Sequence, residues 1–124
     1  MAKNPVVHFE VIGNDPNKLQ AFYRDAFAWE IQTIEEMNYG LVSAPQDKSG
    51  IGGGIGGHPP GEHASFVTFY VQVDDLQATL ARIEKLGGKT LVPPTTIPDM
   101  VTFAQFADPE GHRVGLVKRE EGSP

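Results

Sequence analysis

The chain has 124 residues, of which 40% are hydrophobic, and its net charge at pH 7 is -6. This length allows one compact domain with a core. The absence of cysteine excludes disulfides, thiolate metal ligands and cysteine nucleophiles. The 10 Lys and Arg against 16 Asp and Glu disfavour a nucleic-acid partner, which needs a clustered basic face. Without a leader pattern or a membrane-length apolar run, we expect a soluble cytoplasmic protein with no membrane contact.

The first element is a strand that carries two ionisable side chains on one face. The stretch "PVVHFEVI" alternates with the period of a strand, so His8 and Glu10 share a face. The following stretch "GNDPNKLQAFYRDAFAW" predicts a helix with Asp15 as N-cap and Pro16 at the first helical position. The residues expected to form its apolar stripe are Leu19, Phe22, Tyr23 and Phe27.

Three short strands are predicted after this helix, from "WEIQTIEEM", "YGLVSA" and "GIGGGI". The last of them opens the glycine-rich stretch "SGIGGGIGGHPPGEHAS". This stretch is typical of a flexible linker, and its first part is also consistent with a strand that lets a ligand or another backbone approach closely. It lacks the Lys-Ser/Thr ending of a phosphate loop.

The second half repeats the first. "FVTFYVQV" predicts a strand, "DDLQATLARIEKLGG" predicts a helix with an aspartate cap and a glycine stop, and three strands follow from "KTLVPPTTI", "MVTFAQFA" and "HRVGLVK". Thr68 follows His8 by 60 residues, and Asp75 follows Asp15 by the same 60. A constant offset over strand and helix cap predicts an internal repeat.

We therefore expect an α+β fold in which tandem βαβββ repeats form a curved mixed sheet around a concave cleft. The predicted organisation is a single domain over residues 1–124, with a first module at 5–55, a linker at 56–65, a second module at 66–118 and a flexible tail at 119–124.

The stretches "VVHFEV…DPNKLQAFYRDAF" and "YVQVDDLQATLARIEKLGG…PP…FADPEGHRVGLV" resemble the vicinal oxygen chelate (VOC) superfamily. Its members include glyoxalase I, extradiol dioxygenases, fosfomycin resistance enzymes and bleomycin-binding proteins. The resemblance spans residues 5–118. It implies the fold, and it implies a homodimer as an expectation, because related proteins are often homodimers. It does not imply one activity.

The resemblance also implies four strand positions for a divalent ion, one in the first and one in the last strand of each repeat. These positions hold His8 and Thr68 in the first strands, and Gly54 and Gly115 in the last strands. A single imidazole with a threonine hydroxyl does not supply the donors that a divalent ion needs. We therefore predict no cofactor and no metal site, with His8 a ligand only if a metal is present.

Three roles stay open for His8: a metal ligand, a general base, or a polar residue held by a neighbour. An imidazole titrates near neutral pH, so one prediction is that His8 and Glu10 form an acid-base pair. The alternative for Glu10 is that its carboxylate reaches solvent at the edge of the sheet.

Several further residues have the parity expected of a ligand-binding face. The side chains are Thr68, Tyr70, Gln72, Phe103 and Gln105, and the ligand-binding set also contains Gly54 and Gly115. Apolar walls with a few hydrogen-bonding groups are typical of a small-molecule pocket. An exposed sheet face is equally consistent with a dimer interface.

The sequence thus predicts a glyoxalase-like protein of unassigned activity that binds a small molecule in its cleft without the usual metal centre. It would act by sequestration, like the bleomycin-binding proteins, or through metal-free chemistry at His8 and Glu10. One alternative is a metal-dependent glyoxalase- or dioxygenase-type enzyme with relocated ligands, which would purify with stoichiometric metal. The second alternative is a partner-binding module.

Overall fold

The computed structural model describes residues 4–59 and 61–119. Its elements in chain order are β1 (Val6–Gly13), α1 (Pro16–Phe27), β2 (Ile31–Ile34), a 3-10 turn (Glu35–Met37), β3 (Tyr39–Val42), β4 (Gly52–Gly57), β5 (Phe66–Val73), α2 (Leu76–Lys85), β6 (Lys89–Ile97), β7 (Val101–Ala107) and β8 (Arg113–Lys118). Over these described ranges, neither helix has the length and apolar character needed to cross a membrane.

The chain divides into two compact units. The first unit is His8–Thr68, and the second comprises the described parts of Met1–Val7 and Phe69–Pro124. In the first unit the strands lie in the order β2-β3-β4-β1, and in the second in the order β5-β8-β7-β6. In each unit the first strand pairs in parallel with the last, and the third strand is antiparallel to both of its neighbours. The predicted α+β class and βαβββ order are confirmed.

The helix caps follow the sequence prediction. The Asp15 side chain accepts a hydrogen bond from the backbone N–H of Lys18 at 3.1 Å, and Pro16 begins α1. The Asp75 side chain accepts one from the backbone N–H of Ala78 at 3.0 Å at the start of α2. Both carboxylates satisfy backbone N–H groups that a helix end leaves without an internal partner.

The buried face of α1 differs from the predicted stripe. Phe22 and Phe27 are 61% and 60% exposed, whereas Gln20 is only 2% exposed. The Gln20 amide donates to the carbonyl oxygen of Ile55 at 3.2 Å and accepts from the hydroxyl of Thr33 at 2.8 Å. The predicted stripe is thus only partly buried, and Gln20 is buried near it because its amide is hydrogen-bonded to neighbouring strands.

The second unit has an apolar core. Two leucines of α2 pack against residues of β5, β7 and β8, and the buried residues of this cluster are Val73, Leu76, Leu80, Ala104 and Leu116. Here the predicted stripe of α2 is buried as expected at its first two positions, while Leu86 after the helix is 67% exposed.

Two predicted boundaries differ from the structure. Strand β4 continues to Gly57, so it contains the first two residues of the predicted linker; Pro60 of that linker lies outside the described residues. Arg119, the first residue of the predicted tail, donates its backbone N–H to Val73 at 2.8 Å and pairs with Asp74 at 3.0 Å. The rest of that tail, residues 120–124, lies outside the described residues.

In the first unit, one apolar strand residue is exposed to solvent and two polar strand residues are buried, whereas the opposite is usual. Val67 is 71% exposed, while Glu10 and Thr68, on the predicted polar face, are 8% and 6% exposed. Buried polar side chains are tolerated only where they are hydrogen-bonded. The contacts that hold Glu10 define the candidate site.

Candidate functional site

The site begins with a close approach between β3 and β4. Glu10 on β1 is paired in register with Gly54 on β4. A Cβ atom at Gly54 would overlap the hydroxyl group of Tyr39. Only glycine leaves room for this phenol, so the glycine-rich strand brings the Tyr39 hydroxyl to the side of Glu10.

Tyr39 links the two ionisable side chains of β1. Its hydroxyl donates to Oε2 of Glu10 at 2.8 Å, and Nε2 of His8 lies 3.1 Å from the same hydroxyl oxygen. Because the hydroxyl gives its proton to Glu10, its oxygen accepts from Nε2–H of His8. This assignment places the basic lone pair of the neutral imidazole on Nδ1.

Burial sets the charge of the imidazole. Removal from water lowers the pKa of His8 below its ordinary value of 6.5, because a buried site disfavours the imidazolium. His8 is therefore neutral at pH 7 and able to accept a proton. The predicted acid-base pair is brought together, through a tyrosine that the sequence analysis did not single out.

The second unit contains a related arrangement with different chemistry. A Cβ atom at Gly115 would overlap the ring of Tyr70, and the ring of Phe103 lies 6.5 Å from it. The buried Gln105 amide donates to the Tyr70 hydroxyl at 2.8 Å and accepts from the guanidinium of Arg113. No carboxylate takes part in these hydrogen bonds.

The remaining predicted ligand-binding residues lie on β5. Thr68 is buried, and Gln72 is half-buried with its backbone N–H donating to Pro5 at 2.9 Å. The structure thus groups His8 and Glu10 with Gly54 in the first unit. It groups Tyr70, Phe103, Gln105 and Gly115 in the second unit.

Tyr39 was missed because its strand alone does not reveal its partner. In "YGLV" it is an ordinary aromatic strand residue. In register Tyr39 is paired with Gly56, yet its side chain extends along β4 to Gly54. Only the register of β3 on β4 and of β4 on β1 brings it to Glu10.

The donor set does not fit a divalent metal ion. Within residues 4–59 and 61–119, no group of three or more His, Cys, Asp or Glu side chains could hold one. His8 and Glu10 do converge, but on the hydroxyl of Tyr39. The relocated-ligand alternative requires a third donor, and among these described residues no third His, Cys, Asp or Glu side chain joins His8 and Glu10.

An apolar groove lies elsewhere in the first unit. A groove of about 600 Å³ lies between α1 and the strands β1 and β5, and it is lined mainly by apolar side chains that include Val11, Leu19 and Phe22. Since Val11 alternates with Glu10 along β1, the groove opens on the opposite face of that strand. It is therefore separate from the His8 site.

The comparison with known families is decisive for the fold. Residues 6–116 match the model of the glyoxalase/bleomycin resistance protein/dioxygenase superfamily. The chain belongs to this superfamily. The resemblance noted in the sequence is thereby confirmed, with its fold.

Two relatives carry names of the glyoxylase type. A glyoxylase-like domain-containing protein of Didymella fabae is 30% identical over 119 residues, covering 89% of this chain and 90% of the relative. A putative glyoxylase of Mycobacterium bovis is 27% identical over 112 residues, covering 88% of this chain but only 42% of the relative. The chain therefore spans less than half of the mycobacterial protein.

A solved structure supports the fold independently. A superfamily member from Vibrio splendidus 12B01 matches with a TM-score of 0.64 at 18% identity, covering 94% of this chain and 100% of the other. At this identity the likeness shows the fold alone, so the chemistry has to be argued from the side chains of this chain.

Proposed function

We propose that this superfamily member binds a small molecule at the His8 face of its first unit and uses no divalent metal ion there. The observation that carries the proposal is the hydrogen-bonded chain from His8 through Tyr39 to Glu10. Such a chain orients an imidazole and stabilises the positive charge that it gains with a proton.

The chemistry available at this face is proton transfer. A proton taken from a ligand would be held on Nδ1 of His8, and the Nε2–H group would strengthen its hydrogen bond to Tyr39. The Glu10 carboxylate at the end of the chain would balance the new charge. Suitable ligands are small molecules with an acidic O–H or C–H group, and tight binding without turnover would be sequestration at the same face.

The ligand contacts proposed from the sequence need one refinement. We propose that Gly54 and Gly115 act indirectly, since their missing side chains make room for the rings of Tyr39 and Tyr70. The polar and aromatic residues proposed to contact a ligand are Thr68, Tyr70, Gln72, Phe103 and Gln105.

The second candidate is the enzyme suggested by the names of the relatives. A metal-dependent glyoxalase-type activity is favoured by the glyoxylase-like relative at 30% identity, and it is disfavoured by the donor set described above. Elemental analysis of untagged protein separates the two candidates. Stoichiometric divalent metal that is lost in His8→Ala would support the enzyme, and protein without metal would support the primary proposal.

The direct test is a ligand screen by thermal shift, using small hydrophobic and anionic compounds. Hits would be confirmed by titration calorimetry on wild type, His8→Ala and Tyr39→Phe. We expect both variants to weaken binding, because each interrupts the chain to Glu10. Tyr23→Phe is the matched control, since it removes a tyrosine hydroxyl on α1 that lies outside the proposed ligand contacts. Equal binding by wild type, His8→Ala and Tyr39→Phe would refute the proposal.

We further propose that the apolar groove of the first unit serves protein association, with a second copy of this chain as the partner. Phe22 and Val67, which line it, are 61% and 71% exposed, and large exposed apolar side chains grouped together are typical of interfaces. Sedimentation velocity over a range of concentrations tests this. A strictly monomeric protein at all concentrations would contradict it.

A cytoplasmic location stays a prediction from the sequence.

A further inference from the structure

A series of side-chain hydrogen bonds in the second unit begins at a cation; we name it the Arg113 series. The Arg113 guanidinium donates to Oε1 of Gln105, and Nε2 of the same amide donates to the Tyr70 hydroxyl at 2.8 Å. Gln105 and Tyr70 are only 5% and 6% exposed, whereas Arg113 is half-buried. The guanidinium is therefore the member of the series that a molecule from solution reaches first.

The guanidinium also fixes the direction of the hydrogen bonds in the Arg113 series. Arginine has N–H groups and no acceptor, so the carbonyl oxygen of Gln105 must be the side of the amide that faces it. The amide nitrogen then faces Tyr70, whose hydroxyl oxygen accepts. Each acceptor thus points at the donor of its neighbour, and the series presents N–H and O–H donors beside a positive charge. A negatively charged group is the complement of such a surface.

The corresponding series of the first unit ends on the opposite charge. There the hydrogen bonds run from His8 through Tyr39 to the carboxylate of Glu10. A carboxylate repels an anion, whereas a guanidinium binds a carboxylate through two parallel N–H···O bonds. Of these two series, the Arg113 series is the one suited to an anionic group.

We infer that Arg113, held in place by Gln105, binds the anionic group of the small molecule. A guanidinium has five N–H groups, so it can donate to Gln105 and to both oxygens of a carboxylate at the same time. The ring of Phe103, which follows the same strand two residues before Gln105, lies 6.5 Å from the ring of Tyr70 and offers an apolar wall. The ligand class is thus a small carboxylate with an apolar or aromatic body.

Gln105 acts in this inference as a positioning residue. A long arginine side chain loses conformational freedom when it binds a ligand, and a hydrogen bond to a buried amide restricts it beforehand. The amide is uncharged, so it orients the guanidinium without cancelling its charge. A carboxylate at the same position would hold Arg113 equally well but would neutralise it, and this contrast can be tested.

The inference rests on the proposed function, which counts Tyr70, Phe103 and Gln105 among the ligand contacts, and it adds the charge of the ligand. The probes are phenylacetate and its uncharged amide, phenylacetamide, which differ in charge but hardly in size. NMR titration of isotope-labelled protein measures the affinity for each probe and shows whether each variant is folded. We expect wild type to bind phenylacetate about tenfold more tightly than phenylacetamide, as charge-assisted hydrogen bonds allow.

The principal variant is Gln105→Glu, which keeps the shape of the side chain and places a negative charge beside Arg113. We expect it to lose the preference for phenylacetate. Arg113→Gln should lose the same preference and leave the affinity for phenylacetamide unchanged. Arg119→Gln is the matched control, because it removes a guanidinium of the same unit that pairs with the exposed Asp74. This control should keep the preference.

Several results would overturn the inference. Equal affinity of wild type for the two probes, or no binding of phenylacetate, would do so. A preference that folded Gln105→Glu and Arg113→Gln both retain would show that the guanidinium does not bind the anionic group. An equal loss of preference in Arg119→Gln would show that the attraction comes from the general charge of the unit.

Failure of the inference and failure of the proposed function give different results. If Arg113→Gln loses the preference while His8→Ala and Tyr39→Phe bind phenylacetate as wild type does, the inference is supported and the role of His8 is refuted. If His8→Ala and Tyr39→Phe weaken binding while Arg113→Gln keeps the preference, the proposed function is supported and the inference is overturned.

Discussion

The two units share one strand order but differ in what they bury. At the same position of the helix, the first unit places Gln20 and the second places Leu80, which is 60 residues further along the chain. The glutamine is held by hydrogen bonds to Ile55 and Thr33, whereas the leucine belongs to an apolar cluster. A repeated backbone thus accepts polar or apolar burial, provided that each buried polar group has its partners.

The same contrast holds where a tyrosine covers a glycine. In the first unit the Tyr39 hydroxyl joins an imidazole to a carboxylate. In the second unit the hydroxyl of Tyr70 is joined to the amide of Gln105. The first arrangement contains an imidazole, the side chain whose ordinary pKa lies nearest to neutral pH, and the second contains no imidazole. This difference is the reason for placing the proposed chemistry in the first unit.

The largest expected effect concerns the apolar core of the second unit. Leu80→Ala should lower the free energy of unfolding by about 2–5 kcal/mol, because it removes a fully buried side chain and leaves a cavity. The comparison variant is Gln20→Ala, which leaves its partners without their hydrogen bonds and should cost about 1–3 kcal/mol. Urea unfolding measures both. A larger loss for Gln20→Ala than for Leu80→Ala would contradict the expectation that the buried leucine contributes more to stability than the buried glutamine.

Removal of either tyrosine hydroxyl should have the next largest effect on stability. Tyr39→Phe and Tyr70→Phe should each cost about 1–3 kcal/mol, since each removes a hydroxyl from buried or half-buried polar neighbours. NMR of the imidazole separates the two variants. Tyr39→Phe should change the proton distribution between the two ring nitrogens of His8, and Tyr70→Phe should leave it unchanged. The same shift in both variants would show that the relation between Tyr39 and His8 is not specific.

A smaller effect is expected from pH. The folded state lowers the pKa of His8 below 6.5, so between that lowered pKa and 6.5 the unfolded chain binds more protons than the folded one. The contribution of His8 to stability is therefore fully present above about pH 6.5 and decreases as the pH falls toward the folded-state pKa. Unfolding of wild type and His8→Gln at pH 7.5 and 5.5 measures it.

The direction of the difference in stability loss is specific. Wild type should lose more stability than His8→Gln when the pH falls from 7.5 to 5.5, because only wild type has an imidazole at position 8 whose protonation is disfavoured by burial. An equal loss in the two proteins would show that another group accounts for the pH dependence.

The smallest effect on stability is expected at the exposed aromatic surface of α1. Phe22 is 61% exposed, and the corresponding position of α2 holds Arg82. Phe22→Arg should change the free energy of unfolding by less than about 0.5 kcal/mol, as is usual for exposed positions. It should nevertheless weaken self-association in sedimentation velocity. Unchanged association would exclude the groove as the interface between copies.

Much of the fold could be read from local patterns. The alternation around His8 and the caps at Asp15 and Asp75 are short-range signals, since a strand period and a capping hydrogen bond involve only a few neighbouring residues. The recurrence of these signals after 60 residues predicted the repeat. The stripe of α1 was the exception, because a glutamine in the middle of the helix does not reveal that Thr33 and Ile55 will satisfy it.

The sequence by itself determined the superfamily, the order of the strands and helices, and the presence of His8 and Glu10 on one face of β1. Only the tertiary structure decided what those two side chains contact. The link through Tyr39 depends on the register of β3, β4 and β1, which brings together residues about 30 positions apart in the chain. The role of glycine at position 54 can be understood only when the group that occupies the space of its missing side chain is known. That group is the hydroxyl of Tyr39, which comes from a different strand.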